Sequence, residues 1–152
     1  MRIELHTPIH APPQVCFDAA RSIDLHQQSL AHTGERAIAG RTSGLIGLGE
    51  EVTWRGRHFG VWLRHTAKIT AFEPPRHFRD TMTRGAFAVF EHDHFFAPAG
   101  DGTAMRDVLE FRSPLGGLGW LVDRLVLRRY LERLLRARNE VVKAAAEAAA
   151  RA

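Results

Sequence analysis

The stretch Phe90-Glu91-His92-Asp93-His94-Phe95-Phe96 alternates in character from one residue to the next. Successive side chains of a β-strand point to opposite faces of the sheet. Because Glu91 and Asp93 are expected to face water, the other parity faces inward, and it carries Phe90, His92, His94 and Phe96. Buried histidines need hydrogen-bond partners, since an unpaired buried polar group costs free energy. Either the rest of the chain or a ligand has to supply those partners.

The size and composition of the chain fit one domain spanning residues 1–152, with a sizeable core. The single cysteine, Cys16, excludes an intramolecular disulfide and fits a reducing compartment, so we expect a cytoplasmic protein. The segment Met1-Arg2-Ile3-Glu4-Leu5-His6 has no long apolar run, and we expect no signal peptide. No stretch approaches the roughly 18 apolar residues of a membrane span.

Positive charge is concentrated near the end of the chain. The formal net charge is +4, and the segment from Arg124 to Arg138 carries six arginines against one acid. Such a balance raises the question of a nucleic-acid or anionic membrane partner. The sequence has no basic tail, no zinc-finger spacing and no aromatic–basic ribonucleoprotein motif, so we expect no nucleic-acid partner. A solvated helix face, or one that contacts a protein partner, a membrane or a second copy, remains open.

Alternation and turn residues predict the order of the elements. We expect a first strand at 2–9, short helices at 12–20 and from Ser22 to Leu30, and a short strand at 33–39. A strand candidate at 51–55 leads through a turn at Gly56-Arg57-His58 into four long strand candidates, at 59–72, 76–84, 87–97 and 103–112. A single long helix is predicted from Leu115 to about Ala149, and the end from Ala144 to Ala152 is expected to fray.

The long helix carries an apolar stripe at helical spacing. Its predicted members are Trp120, Leu127, Leu131, Leu134, Val141 and Ala145, widened by Leu135 and Val142. Arg138 interrupts this stripe, and an arginine on a buried face is costly unless it is paired or faces a cavity. Arg138 is therefore expected to reach Asp80 or Asp107, to bind a ligand carboxylate, or to extend to the helix rim.

Several motifs resemble a known superfamily. They are the strand start Phe59-Gly60, the segments Pro74–Asp80, Gly85–Phe96 and Gly102–Asp107, and the helix lead-in Ser113–Gly119. Together with the element order they resemble the START-like superfamily, also called SRPBCC, of polyketide cyclases/dehydrases and lipid-transport proteins, in a bacterial cyclase-like branch. The resemblance implies an α+β helix-grip fold, in which a curved antiparallel β-sheet of about six to seven strands wraps a long C-terminal α-helix, with two short helices after strand 1. It also implies a cavity for apolar ligands between sheet and helix.

Inward parity selects the residues that would line such a cavity. The expected ligand-binding set is Trp54, Leu63, Phe78, Asp80, Met82, Phe90, His92, His94, Met105, Asp107, Leu109, Leu134 and Arg138. The inward position of each apolar member is equally consistent with ordinary core packing.

Counting from the predicted turns brings three polar members of this set together. Asp80 and Asp107 both fall opposite His92, and His94 falls opposite Met105. Neighbouring strands lie about 4.8 Å apart, so these side chains are within mutual reach. The cluster is either a satisfied internal network or the polar end of a ligand cavity, and a one-residue slip in register would destroy it.

The same cluster suggests chemistry as well as binding. His92 with Asp80 or Asp107 would supply acid–base groups for a cyclase or dehydratase. Two histidines and a carboxylate also form a known metal-binding set, but no zinc signature such as His-Glu-x-x-His is present, and we expect no metal and no cofactor. We predict binding, with transport as an extension, of a hydrophobic or amphipathic small molecule. The alternatives are an enzyme and an accessory protein-interaction module.

Overall fold

The computed structural model describes all residues from 1 to 152. Seven strands form one antiparallel sheet: β1 (Arg2–Ile9), β2 (Arg36–Gly40), β3 (Glu51–His58), β4 (Val61–Glu73), β5 (His77–Arg84), β6 (Val89–Ala99) and β7 (Gly102–Arg112). The helices are α1 (Pro13–Ala20), α2 (Ile23–Ser29), α3 (Gly116–Val122) and α4 (Arg128–Arg151), with a 3-10 turn at Ala31–Thr33 and a π turn at Asp123–Leu127.

The sheet order is β1-β7-β6-β5-β4-β3-β2, so that the first strand closes beside the last one. The curved sheet wraps the long C-terminal helix. The short helices α1 and α2 follow β1 in the chain, and both pack against the C-terminal helix. The predicted α+β helix-grip fold is therefore confirmed.

Local sequence accounts for both short helices. Pro13 occupies the first turn of α1, where the missing N–H costs nothing. Ser22 caps α2, because its hydroxyl accepts a hydrogen bond from the Leu25 N–H at 3.2 Å. The observed strand β2 is shorter than the strand predicted at 33–39 and begins later, at Arg36, because the 3-10 turn includes residue 33.

The core divides into two clusters along the long helix. Phe17 of α1 is fully buried and packs edge-on against Phe72, Phe78 and Phe96. The other cluster contains Ile3, Leu5, Leu109, Phe111, Leu131 and Leu135. Burial of these apolar side chains is the main driving force that holds helix and sheet together.

The C-terminal helix departs from its prediction at both ends. Trp120 is 52% exposed, so its expected place in the buried stripe is wrong. The π turn inserts an extra residue into the helical repeat and rotates the side chains that precede it. At the other end the helix does not fray at Ala144. It continues to Arg151, and Ala146 is buried in the same core cluster as Phe17.

The turn between β3 and β4 is also displaced. It lies at Phe59-Gly60 and not at the predicted Gly56-Arg57-His58. Gly56 lies within β3, and glycine suits this position because the Glu35 carboxylate occupies the space that a Cβ would need.

Strand register agrees with the prediction on one side of β6 only. Asp80 pairs with His92 as predicted. On the other side His92 pairs with Leu109, and His94 pairs with Asp107, two residues from the predicted partners. The turn is centred between Gly100 and Asp101, one residue later than expected, because Gly100 adopts the positive φ that this tight turn requires. A shift of two residues preserves parity, so Asp107 stays on the inward face.

Candidate ligand-binding cavity

A cavity of about 310 Å³ lies between the sheet, α2 and the C-terminal helix. Twenty of its 33 lining residues are hydrophobic. This volume is at the lower end of the range of small-molecule sites, and apolar walls with a few polar groups are typical of such sites.

Ten of the thirteen predicted residues line this cavity: Trp54, Leu63, Phe78, Asp80, Phe90, His92, His94, Leu109, Leu134 and Arg138. Their role in binding stays a prediction. Met82, Met105 and Asp107 do not line it. The Met82 sulfur packs over Gly85, Met105 belongs to the core cluster around Phe17, and Asp107 is fully buried behind the histidines.

A polar cluster forms one end of the cavity. His92 Nε2 lies 3.0 Å from Asp107 Oδ1, and His94 Nε2 lies 2.9 Å from Asp80 Oδ2. His94 Nδ1 is also 3.0 Å from Asp107 Oδ1, so the His94 ring bridges the two carboxylates. We call Asp80, His92, His94, Asp107 and Arg138 the deep polar cluster.

The C-terminal helix completes this cluster from the opposite wall. Arg138 is buried and donates to the Ala20 carbonyl at 2.8 Å and to Asn139 Oδ1 at 3.1 Å, with Asp107 Oδ1 at 3.5 Å. Asn139 Nδ2 donates to Asp107 Oδ2 at 2.8 Å. Of the three predicted positions of Arg138, the structure shows the pairing with Asp107, and the guanidinium is already occupied by protein groups.

Charge and burial set the protonation of this cluster. Burial raises the pKa of Asp80, but the hydrogen bond with His94 and the nearby charge of Arg138 act against burial, and the net result is a pKa below the ordinary range. Asp107 shows the same balance: burial raises its pKa, and its hydrogen bonds with the two histidines lower it well below the usual value. Burial and the neighbouring His94 lower the pKa of His92. At neutral pH both acids are therefore ionised and His92 is neutral.

Three members of the deep polar cluster are close enough to hold a metal ion. Asp80, His92 and His94 each offer one ligand atom, and these atoms lie within 4.8 Å of one another. Two imidazoles and a carboxylate suit a first-row transition metal. The Nε2 atoms of both histidines already contact carboxylates, so a metal would have to replace those contacts.

A second polar cluster, which the sequence analysis missed, also lines the cavity. Glu35 accepts from His26 Nε2 at 3.3 Å and from His58 Nε2 at 3.2 Å, and His58 Nδ1 meets the Tyr130 hydroxyl. Burial raises the pKa of Glu35, but the hydrogen bonds from both histidines dominate and lower it to about 2. The His26 ring stacks on Trp54 with ring centroids 4.0 Å apart. No local pattern indicated this cluster, because its members come from α2, the residue before β2, the end of β3 and the C-terminal helix.

His65 forms part of the wall on β4. Its ring packs edge-on against Phe90 with centroids 4.9 Å apart, and burial lowers its pKa. The cavity wall therefore carries ionised carboxylates at Asp80 and Glu35 and a neutral imidazole at His65.

Comparison with known proteins identifies the family. The family model for polyketide cyclase / dehydrase and lipid transport matches residues 1–147. The chain belongs to this family. The resemblance to the START-like superfamily is thereby confirmed, and the family and fold support hydrophobic ligand binding in general. No curated protein sequence matches the chain significantly.

Solved structures agree on the fold. The protein TTHA0849 from Thermus thermophilus is 21% identical with a TM-score of 0.73, over 95% of this chain and 99% of that one. A START superfamily protein from Mycobacterium smegmatis is 15% identical with a TM-score of 0.70, over 93% and 96% of the two chains. Ara h 8.0201 is 14% identical with a TM-score of 0.67, over 93% and 97%. At these identities the likeness concerns the fold alone. None of the helices combines the length and apolar character needed to cross a membrane.

Proposed function

We propose that this chain is a single-domain cytoplasmic carrier (residues 1–152) that binds a hydrophobic or amphipathic small molecule in the cavity between the sheet and the C-terminal helix. The observation that supports this proposal is the cavity itself, about 310 Å³ with mostly apolar walls. The polar side chains of the deep polar cluster and of the Glu35 cluster already have partners within the protein, and no buried side-chain nitrogen or oxygen lacks a hydrogen bond. A bound molecule would therefore gain free energy chiefly by burying apolar surface.

The charges on the cavity wall favour an uncharged head group. Asp80 lines the cavity, retains 23% of its side-chain surface and is ionised at neutral pH. Glu35 places a second ionised carboxylate on the wall. Arg138 is paired within the protein, so it offers no free charge to offset the repulsion that a ligand carboxylate would meet beside Asp80. The unpaired guanidinium on the cavity wall belongs to Arg64, which is exposed to solvent. We therefore propose an alcohol or carbonyl compound as ligand, ahead of a fatty acid.

The rival function is acid–base catalysis of the cyclase or dehydratase type. One observation favours it: His92 faces the cavity and is neutral, so it can accept a proton. A matching proton donor is harder to find among its neighbours, because Asp80 and Asp107 are both ionised at neutral pH. Replacing His92 by alanine would abolish turnover in an enzyme, whereas in a carrier it would change only affinity or stability.

Native mass spectrometry of the protein purified from its own host tests the carrier proposal, combined with solvent extraction of any bound molecule. We expect a stoichiometric apolar compound that carries no carboxylate. A protein that arrives without such a compound, and that shows no thermal shift with a panel of neutral lipids and polyketides, would contradict the proposal.

A further inference from the structure

The start of the C-terminal helix is apolar on most of its circumference and exposed to solvent. Leu118, Leu121, Val122, Leu125 and Val126 are all exposed, and Leu118 reaches 62%. Within residues 116–126 only Gly119 and Asp123 are buried. A helix that is apolar on nearly all sides is normally covered by another apolar phase.

The turn between β3 and β4 extends this apolar surface. Phe59, Val61 and Trp62 are exposed, and the Phe59 ring lies 4.5 Å from the ring of Tyr130 on the C-terminal helix. Tyr130 is one helical turn beyond Val126, so the hairpin tip and the exposed helix adjoin each other.

Backbone conformation at this surface is unfavourable for the residues that occupy it. Phe59 has a φ of 52° and Leu115 a φ of 77°, and they are the two non-glycine residues with positive φ in the chain. Glycine or asparagine would adopt this conformation at lower cost and would be more soluble. Both positions instead expose a large apolar side chain, and strain of this kind points to a function.

Free positive charge surrounds the same apolar residues. Arg124, Arg128 and Arg129 are exposed and form no salt bridge, unlike Arg136, which pairs with Glu132. Arg124 lies over the Trp120 ring at 5.4 Å, and Arg55 lies over the Trp62 ring at 4.4 Å. Exposed tryptophan with arginine is the composition of a surface that rests at the boundary between lipid head groups and acyl chains.

We propose that this face docks on an anionic membrane surface. The face consists of the exposed apolar residues of 115–126 and 59–62 together with Arg55, Arg124, Arg128 and Arg129, and we call it the apolar–arginine face. A second copy of the chain fits it less well, because a two-fold contact would bring the unpaired arginines of both copies together. An acidic phospholipid surface satisfies the arginines and buries the apolar side chains at once.

The location of this face next to the cavity also favours docking on a membrane. Phe59 belongs to the apolar–arginine face and also lines the cavity, and so do Leu127 and Tyr130, which adjoin the face. A molecule dissolved in the bilayer would therefore reach the cavity without crossing water. The docking proposal extends beyond ligand binding and does not depend on it, since the face is defined by exposure and charge alone.

Vesicle flotation with the purified wild-type protein tests the proposal. Vesicles of phosphatidylcholine with about one third phosphatidylglycerol are compared with vesicles of phosphatidylcholine alone, at low and high salt. We expect binding to the anionic vesicles that weakens with salt. A blue shift of tryptophan emission should accompany it, because Trp62 and Trp120 are exposed whereas Trp54 is buried.

Two variants and a matched control separate charge from folding. Arg124→Gln with Arg128→Gln should weaken binding to the anionic vesicles roughly tenfold or more, since each arginine near such a surface contributes about 1 kcal/mol. Trp120→Ser with Leu125→Ser should remove most of the binding. The control Arg76→Gln with Arg151→Gln makes the same change in net charge away from this face, and it should bind like the wild type. Thermal melting verifies that each variant is folded.

Three outcomes would overturn the proposal. One is no flotation with either vesicle type, and another is equal binding to anionic and neutral vesicles. The third is a stable dimer in sedimentation analysis that Leu125→Ser dissociates while no vesicle binding is seen, which would assign the face to a second copy of the chain. If the wild-type protein binds ligand but does not bind vesicles, the docking proposal is contradicted and the carrier proposal is unaffected.

Discussion

His94 on β6 and Asp107 on β7 lie directly opposite each other in the sheet, and their side chains meet with Nδ1 3.0 Å from Oδ1. Asp107 also contacts His92 and receives hydrogen bonds from Asn139 and Arg138 on the C-terminal helix. One fully buried carboxylate thus joins two strands to the helix that they grip. The polar end of the cavity depends on this residue, although Asp107 does not itself line the cavity.

Asp107→Asn is therefore expected to destabilise the fold strongly. The amide keeps the shape of the side chain but leaves the buried Arg138 without its countercharge, and breaking a buried pair in this way costs about 3–5 kcal/mol. Urea denaturation measures the change in the free energy of unfolding. The control Asp101→Asn, at a highly exposed turn position, should show no measurable change. Equal stability of Asp107→Asn and wild type would show that this network does not hold the helix.

Acid should destabilise the protein through Glu35. Its pKa is about 2 in the folded protein and 4.5 ordinarily, so between these values the unfolded chain binds more protons. Its contribution, about 3 kcal/mol, is complete above pH 4.5 and is lost as the pH falls towards 2. Thermal melting from about pH 6 to about pH 2 should show a shallower decline for Glu35→Gln than for the wild type. The exposed Glu140→Gln serves as control, and a Glu35→Gln profile parallel to that of the wild type would refute the assignment.

Head-group selectivity can be measured with two ligands of equal chain length. Because Asp80 and Glu35 are ionised on the cavity wall, decanol should bind at least tenfold more tightly than decanoate at neutral pH. Isothermal titration calorimetry gives both affinities. Asp80→Asn should narrow the difference by weakening the repulsion of decanoate. Tighter binding of decanoate to the wild type would mean that Arg138 or a histidine accepts the ligand carboxylate after all.

The expected absence of a resident metal is a separate prediction. Asp80, His92 and His94 form the candidate set, but their contacts with each other and with Asp107 already satisfy the ring nitrogens that would bind a metal. One equivalent of Zn²⁺ or Co²⁺ should leave the melting temperature unchanged, and EDTA should do the same. A rise of several degrees that His94→Ala abolishes would assign a metal site instead.

The alternation of residues 90–96 was sufficient to predict the inward face of β6, because side-chain parity in a strand is a local property. The predicted inward face was correct although the predicted centre of the β6–β7 turn was wrong by one residue. The resulting two-residue shift changed the partners of His92 and His94 but not the face on which Asp107 lies. The family resemblance added the position of the helix against that face.

Two features lay beyond the sequence analysis for physical reasons. The Glu35 cluster joins residues 26, 35, 58 and 130, and only the folded chain brings such distant positions together. Trp120 fits a buried stripe by its spacing, but the π turn rotates it into solvent, and helical periodicity alone does not indicate a π turn.

The central claim is that the space between sheet and helix is a ligand site, and filling that space tests it most directly. Leu134 lines the cavity, so Leu134→Trp should weaken binding of the neutral fluorophore N-phenyl-1-naphthylamine at least tenfold, with little loss of stability because the new ring occupies empty volume. The matched control is Leu48→Trp, at a 62% exposed position outside the cavity. A fluorescence titration that gives saturable one-to-one binding for wild type and control, and weak binding for Leu134→Trp, is the predicted result. Equal binding by all three proteins would contradict the account.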